Sequence, residues 1–245
     1  MSANPLHQFE IHKIYDLQVA GFDLSVTNHT MWLFIGVGLV SLLMLWGSRR
    51  AQLVPNRMQS FVEVTIDFIR TLTKETAGES ALRFLPFIAT LFLFLAAANV
   101  IGMVPGSFTA TSQMLTTGFM ALGVFMIVIG VGFYVQGLKF FKLFYPEGTP
   151  WWLAPLIVLL EVISFFARPA TLALRLAANM MAGHILLKVF ASFVIMLMVV
   201  LPPLALVPLL INVALTGLEI GVALLQAYIF TILTCVYLHD ALHGH

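Results

Sequence analysis

The chain has 245 residues, 60% hydrophobic and 9% charged, with 12 Lys and Arg against 11 Asp and Glu and a formal net charge of +1. A soluble domain carries about 25% charged residues, so the composition excludes one and points to an all-α integral membrane protein. It also excludes nucleic-acid binding, which needs a basic surface interleaved with aromatics, while the single Cys235 rules out an internal disulfide or a cysteine metal cluster; no metal and no cofactor are expected.

Residues 1–30 carry charges throughout and no uninterrupted apolar core, unlike a cleavable signal peptide, and read as an exposed tail. Residues 31–245 form one membrane domain. A first span over 31–47 is closed by Arg49 and Arg50. Over 55–80, Glu63, Asp67, Arg70 and Lys74 recur at helical spacing while Phe61, Val62, Phe68, Ile69 and Leu72 lie largely on other faces, which predicts an amphipathic helix lying along the membrane surface. Residues 84–106 and 118–137 are each long enough to span, since about 20 apolar residues cross a bilayer core; Pro105 and Gly106 begin the loop between them. Asn99 in the first reads as interhelical glue.

Residues 151–201 run apolar for about 50 positions, roughly 75 Å as one helix at 1.5 Å per residue, with Glu161, Arg168, Arg175 and Lys188 embedded. Such a segment either breaks into two or tilts steeply. Prolines at 202, 203 and 208 end it, and residues 204–238 form a last long helix followed by a polar tail with His239, Asp240, His243 and His245. About five membrane helices and one interfacial helix result. Six of the 12 basic residues fall between Arg49 and Arg83, and Lys139 and Lys142 follow Gly137; the positive-inside rule puts both clusters in the cytoplasm. The N-terminal tail and the loop over 106–117 then lie outside, and the C-terminus inside.

A charge at the bilayer centre costs at least about 2.5–3.5 kcal/mol and is by default a functional-site candidate. Arginine suits a charge that must persist, because its guanidinium does not deprotonate in proteins. At 100° per residue Glu161, Arg168, Arg175 and Ala182 share one helical face, Asn179 lies about 40° off it, and His184 is turned about 180° from Arg175. Asn212, Glu219 and Gln226, seven apart, make a polar stripe about 21 Å long. Interhelical hydrogen bonds or structural ion pairs are the ordinary explanation of such groups; the two proton-relay types His184 and Glu219 shift the balance toward a hydrated proton path.

The segments RPATLALRLAANMMAGH (168–184) and LEIGVALLQAYIFTILTCVYL (218–238), with LFLFLAAANVIGMVPG (91–106), resemble subunit a of the F-type ATP synthase, in the His-first arrangement of alphaproteobacteria and mitochondria. The resemblance implies a stator subunit whose last two helices are long, steeply tilted and packed against a rotating c-ring, each ring subunit carrying a membrane carboxylate. It implies that Arg175 is the essential gate facing that carboxylate between two proton half-channels. It further implies that His184 and Glu219 line the outer-side half-channel, that Asn179 and Gln226 lie near the arginine, and that Asn212, Glu161 and Arg168 are polar positions of the path. Other implied partners are a peripheral stalk of subunit b or b/b′, the rest of FoF1 and the lipid bilayer, in a bacterial cell inner membrane more than a mitochondrial one. Alanines at 177 and 178 stand where many members have an aromatic and a glycine, a change of packing. No G-x-x-x-x-G-K-[ST] run is present, so nucleotide chemistry is expected in partner subunits. The rival classes are an ion-coupled secondary carrier, for which no internal repeat is seen, and a scaffold whose buried charges merely pair.

Overall fold

Long apolar runs with turn-forming residues only at their ends become helices, and the computed structural model contains little else. It describes residues 12–16, 18–19, 22–23, 25–49, 52, 54–104, 107–137, 140 and 152–243. The expected features at Arg50, Pro105, Gly106, Lys139, Lys142, His245 and before His12 lie outside these residues. The helices are α1 (Asn28–Ser48), α2 (Arg57–Ala77), α3 (Leu85–Gly102), α4 (Met114–Gln136), α5 (Ala154–Val200) and α6 (Leu206–His243). Among the described residues, five helical segments are long and apolar enough to cross a membrane, and the molecule is an all-α integral membrane protein.

Punctuation is local and chemical. The Thr27 hydroxyl caps α1 by accepting from the Thr30 amide at 3.2 Å, and the Asn56 side chain accepts from the first amide of α2 at 2.7 Å. Gly78, at φ 83°, stops α2 in a conformation that costs glycine no Cβ clash. Before α1, within the residues expected as an exposed tail, two short antiparallel ladders form, Lys13–Tyr15 with Val26–Thr27 and Gln18–Val19 with Phe22–Asp23.

In α2 the charges Glu63, Asp67, Arg70 and Lys74 are exposed, while Ile69, Leu72, Thr73 and Ala77 are buried. That buried stripe packs beside the end of α6, where Cys235 Sγ lies 4.0 Å from Thr73 Oγ1. Gly47 brings α1 against α2, because a Cβ there would meet Val62 Cγ2 at 2.5 Å. Phe61 and Phe68 remain outward-facing, available to hydrocarbon.

The segment expected over 151–201 is one unbroken helix of 47 residues. Pro169 lies inside it; a proline lacks the amide that would reach back four residues, to the Phe165 carbonyl, yet the helix continues. At about 70 Å it exceeds the roughly 30 Å hydrocarbon core more than twofold, so it lies oblique or projects. The region expected as a polar tail after 238 is helical through His243. There Gln136 Nε2 donates to the Asp240 and Ala241 carbonyls at 3.3 and 2.8 Å, supplying partners to the final turn that a helix end otherwise lacks.

The core gathers α3, α4, α5 and α6 around Leu95, Val124, Phe165, Leu176, Ala223, Ala227 and Phe230. At its centre fully buried Asn99 donates through Nδ2 to the Ala223 carbonyl at 3.0 Å, tying α3 to α6. Asn99→Ala is expected to lower stability by about 1–2 kcal/mol, from one interhelical hydrogen bond and a small cavity. Thermal denaturation of the detergent-solubilised protein measures it.

Candidate functional site

Helices α5 and α6 run antiparallel, and their polar side chains meet in successive rungs. Nearest the start of α5, Arg168 Nη1 donates to Asp240 Oδ2 at 3.1 Å and Nη2 lies 3.6 Å from Glu161 Oε1. The same guanidinium sits 5.3 Å from the centre of the Tyr237 ring. Glu161 and Arg168, seven apart in sequence, therefore form an ion-pair cluster with a residue the sequence had left in a tail.

The next rung joins Asn179 Nδ2 to Gln226 Oε1 at 3.0 Å. Beyond it His184 Nδ1 faces Glu219 Oε1 at 3.5 Å, with both side chains nearly covered. Asn212, a further seven residues along α6, is half-buried. The structure thus brings together His184 with Glu219 and Asn179 with Gln226. Glu161 and Arg168 stand apart from these in their own cluster.

Room for the Glu219 carboxylate comes from Gly183. A Cβ at that position would lie 2.6 Å from Glu219 Oε1 and 2.9 Å from its Cδ, inside van der Waals contact. Asn179, Ala182, Gly183, Leu215, Leu218 and Glu219 are among the residues around a cleft of about 320 Å³. Both Glu219 oxygens, Gln226 Nε2 and Asn212 Oδ1 are buried with no hydrogen-bond partner among the described residues. Buried polar atoms of this kind are normally satisfied by ordered water.

Arg175 is placed differently. Its side chain is exposed, and among the described residues it has no hydrogen bond or ion pair. Thr171, Ala178 and Ala182 extend the same exposed stripe, while Leu172, Ala173, Leu176 and Ala177 turn into the protein. Arg175 points out of the helix pair, and His184 points into it.

The sequence matches the family model for the ATP synthase A chain over residues 30–239. The chain belongs to that family. Over 250 residues, and over 100% of both chains, it is 49% identical to ATP synthase subunit a of Rhodopseudomonas palustris strain BisB5. It is similar at 49% to ATP synthase subunit a of Parvibaculum lavamentivorans, covering 99% of this chain and 95% of that one, and at 48% to the subunit a of Hyphomonas neptunium, covering 100% and 98%. Members of the ATP synthase A chain family have a stator role in proton translocation, and membership displaces the secondary-carrier alternative. Sequence reasoning missed Asp240 and Gly183: the first looked terminal, and the second carries no side chain to notice.

Gly183→Ala is expected to cost about 1–3 kcal/mol by overpacking and to push the Glu219 carboxylate away from His184. Adding Glu219→Asp, which withdraws the carboxylate by one methylene, should recover most of the loss. Thermal stability of the single and double variants in the assembled complex checks this.

Proposed function

We propose that the chain works as the proton-conducting stator subunit of an FoF1 ATP synthase in the bacterial inner membrane, with Arg175 as the gate between two half-channels. The observation that carries this reading is the exposed guanidinium of Arg175 on the apolar surface of α5. A charge so placed costs at least about 2.5–3.5 kcal/mol in hydrocarbon, and the other two charges on its helical face, Glu161 and Arg168, are already joined to each other and to Asp240. The missing counter-charge must come from another subunit. A rotor ring whose subunits each carry a membrane carboxylate supplies it.

The neighbours of Arg175 support close approach by such a ring. Ala178 and Ala182 on α5 are exposed, and beyond Gly217 and Gly221 on α6 there is open space; small residues let helix backbones approach in membranes. A rotor carboxylate arriving at Arg175 is stabilised in its ionised form by the opposite charge and releases its proton to one side. The same fixed cation opposes an unescorted proton, whose passage would dissipate about 2.3 kcal/mol per 100 mV.

His184, Glu219, Asn179, Gln226 and Asn212 form the outer-side path in this reading. Glu219 and His184 exchange the proton between their facing atoms, and the unsatisfied oxygens of Glu219 and the amides of Asn212 and Gln226 hold the water that carries it. Arg168, Glu161 and Asp240 keep the ends of α5 and α6 in register. Subunit b of the peripheral stalk and the c-ring are the partners, and nucleotide chemistry takes place elsewhere in the complex.

In inverted vesicles, Arg175→Gln is expected to abolish ATP-driven proton pumping with the complex still assembled by immunoblot; retained pumping would remove Arg175 from the mechanism. Glu219→Gln should slow passive proton flow through the membrane sector by at least ten-fold, in keeping with the loss of an acid–base group, and leave assembly intact. Normal flow in assembled vesicles would take Glu219 out of the path.

A further inference from the structure

We infer that Thr109 is a positioning residue that fixes the tautomer of His184, so that only Nδ1, the nitrogen facing Glu219, is open to receive a proton. The inference rests on the reading of His184 and Glu219 as a proton path. Thr109 lies in the connection between α3 and α4, 75 residues from His184 in sequence, and its Oγ1 stands 2.7 Å from His184 Nε2. The same Oγ1 is 3.0 Å from the carbonyl oxygen of Gly102.

A threonine hydroxyl has one hydrogen to give and lone pairs to accept with, and a carbonyl oxygen only accepts. The Thr109 hydrogen is therefore committed to Gly102. The reverse assignment would set a hydroxyl lone pair against the Gly102 oxygen. The contact with His184 must then run from Nε2–H to Oγ1. One nitrogen of a neutral imidazole carries the hydrogen and the other is an acceptor, and the bond made by the first decides which. His184 thus carries its hydrogen on Nε2 and turns the Nδ1 lone pair toward Glu219 Oε1 at 3.5 Å.

The proton balance follows directly. A proton on Glu219 passes to Nδ1, leaving a carboxylate beside an imidazolium whose two N–H groups face Thr109 Oγ1 and Glu219. When Nδ1 returns the proton, the Nε2 hydrogen has stayed on Nε2, donated to Thr109 Oγ1 throughout. Proton traffic is confined to one ring nitrogen.

The surroundings hold Thr109 to this task. It is 6% exposed. Gly102 ends α3, where a carbonyl has no partner within its helix, and a Cβ on Gly102 would lie 2.7 Å from Thr109 Cγ2. The turn itself is clamped, because the Ser112 amide and hydroxyl both donate to the Thr109 carbonyl, at 3.1 and 2.7 Å. The Ser107 hydroxyl lies 2.7 Å from the Ile101 and Val104 carbonyls. None of these contacts is made by the proton path itself; they fix where the hydroxyl stands.

The test uses the assembled complex in membranes with nitrogen-15-labelled histidine, the His184 resonances being identified by their loss in His184→Gln. In the wild type, neutral His184 is expected to be protonated at Nε2 and bare at Nδ1; a hydrogen on Nδ1 overturns the inference, whatever the variants do. Thr109→Val is expected to give a mixture of tautomers and to reduce passive proton flow about ten-fold, the low end of what losing the partner that orients a functional imidazole costs. Thr109→Ser, which keeps the hydroxyl, should recover most of the flow and the single tautomer. Unchanged tautomer and flow in Thr109→Val overturn the inference while His184→Gln is blocked. Unimpaired flow in His184→Gln itself sinks the path reading and leaves the tautomer assignment to stand on the resonances alone.

Discussion

Inside a bilayer a polar side chain can bond only with other side chains, with its own backbone or with confined water, and this constraint organises the whole molecule. Each unsatisfied polar group in hydrocarbon costs several kcal/mol, so the helices are arranged to bring polar groups together. Asn99 reaches the backbone of α6 at Ala223. Along α5 and α6 the partners fall in antiparallel order, Arg168 with Asp240, Asn179 with Gln226 and His184 with Glu219. Moving α6 along α5 by a turn would break all three rungs, which makes the polar seam, in a setting where hydrophobicity does not distinguish protein from lipid, a strong determinant of register.

Against that background Arg175 is the exception that carries information. The chain satisfies Arg168 with two carboxylates and an aromatic ring, so it has the means to neutralise a guanidinium on this face and leaves the one seven residues further on exposed. Two arginines on one helix face thus differ: the first is bound to its own chain, and the second has no hydrogen bond or ion pair among the described residues. An arginine suits the gate proposed for the second position, because burial against a rotor would shift a lysine toward neutrality, and a gate that lost its charge would leak.

Much of the fold was legible because it depends on hydropathy and punctuation. Five spans, the amphipathic helix and the polar stripe at 212, 219 and 226 follow from residue type and period alone. The sequence left open whether residues 151–201 break, since a proline in a helix is compatible with both outcomes; packing against α4 and α6 on either side of Pro169 carries the helix through. The N-terminal ladders were not legible, being two or three residues long with no alternating pattern. Asp240 was misjudged because three histidines around it suggested solvent, whereas its partner lies 72 residues away. Gly183 and Thr109 were invisible for a related reason: their importance lies in contacts between α5 and segments distant in sequence, and neither residue type announces that.

The seam is unequal along its length, and the inequality matches the division of function proposed above. At the Arg168 end, among the described residues, Arg168, Glu161 and Asp240 are paired with one another, and none of their atoms is among the buried unsatisfied ones. At the Glu219 end the carboxylate, the Gln226 amide nitrogen and the Asn212 oxygen are buried yet unbonded, and a cleft opens beside them. A fully satisfied network is rigid, which suits a clamp; a proton relay needs groups whose partners change as the proton moves, and so cannot be fully satisfied by fixed ones. The missing Cβ at Gly183 keeps the carboxylate within reach of the imidazole, and the one bond in this region that must not change, Nε2 of His184 to Thr109, is anchored on backbone carbonyl and clamped turn instead of on another titratable group.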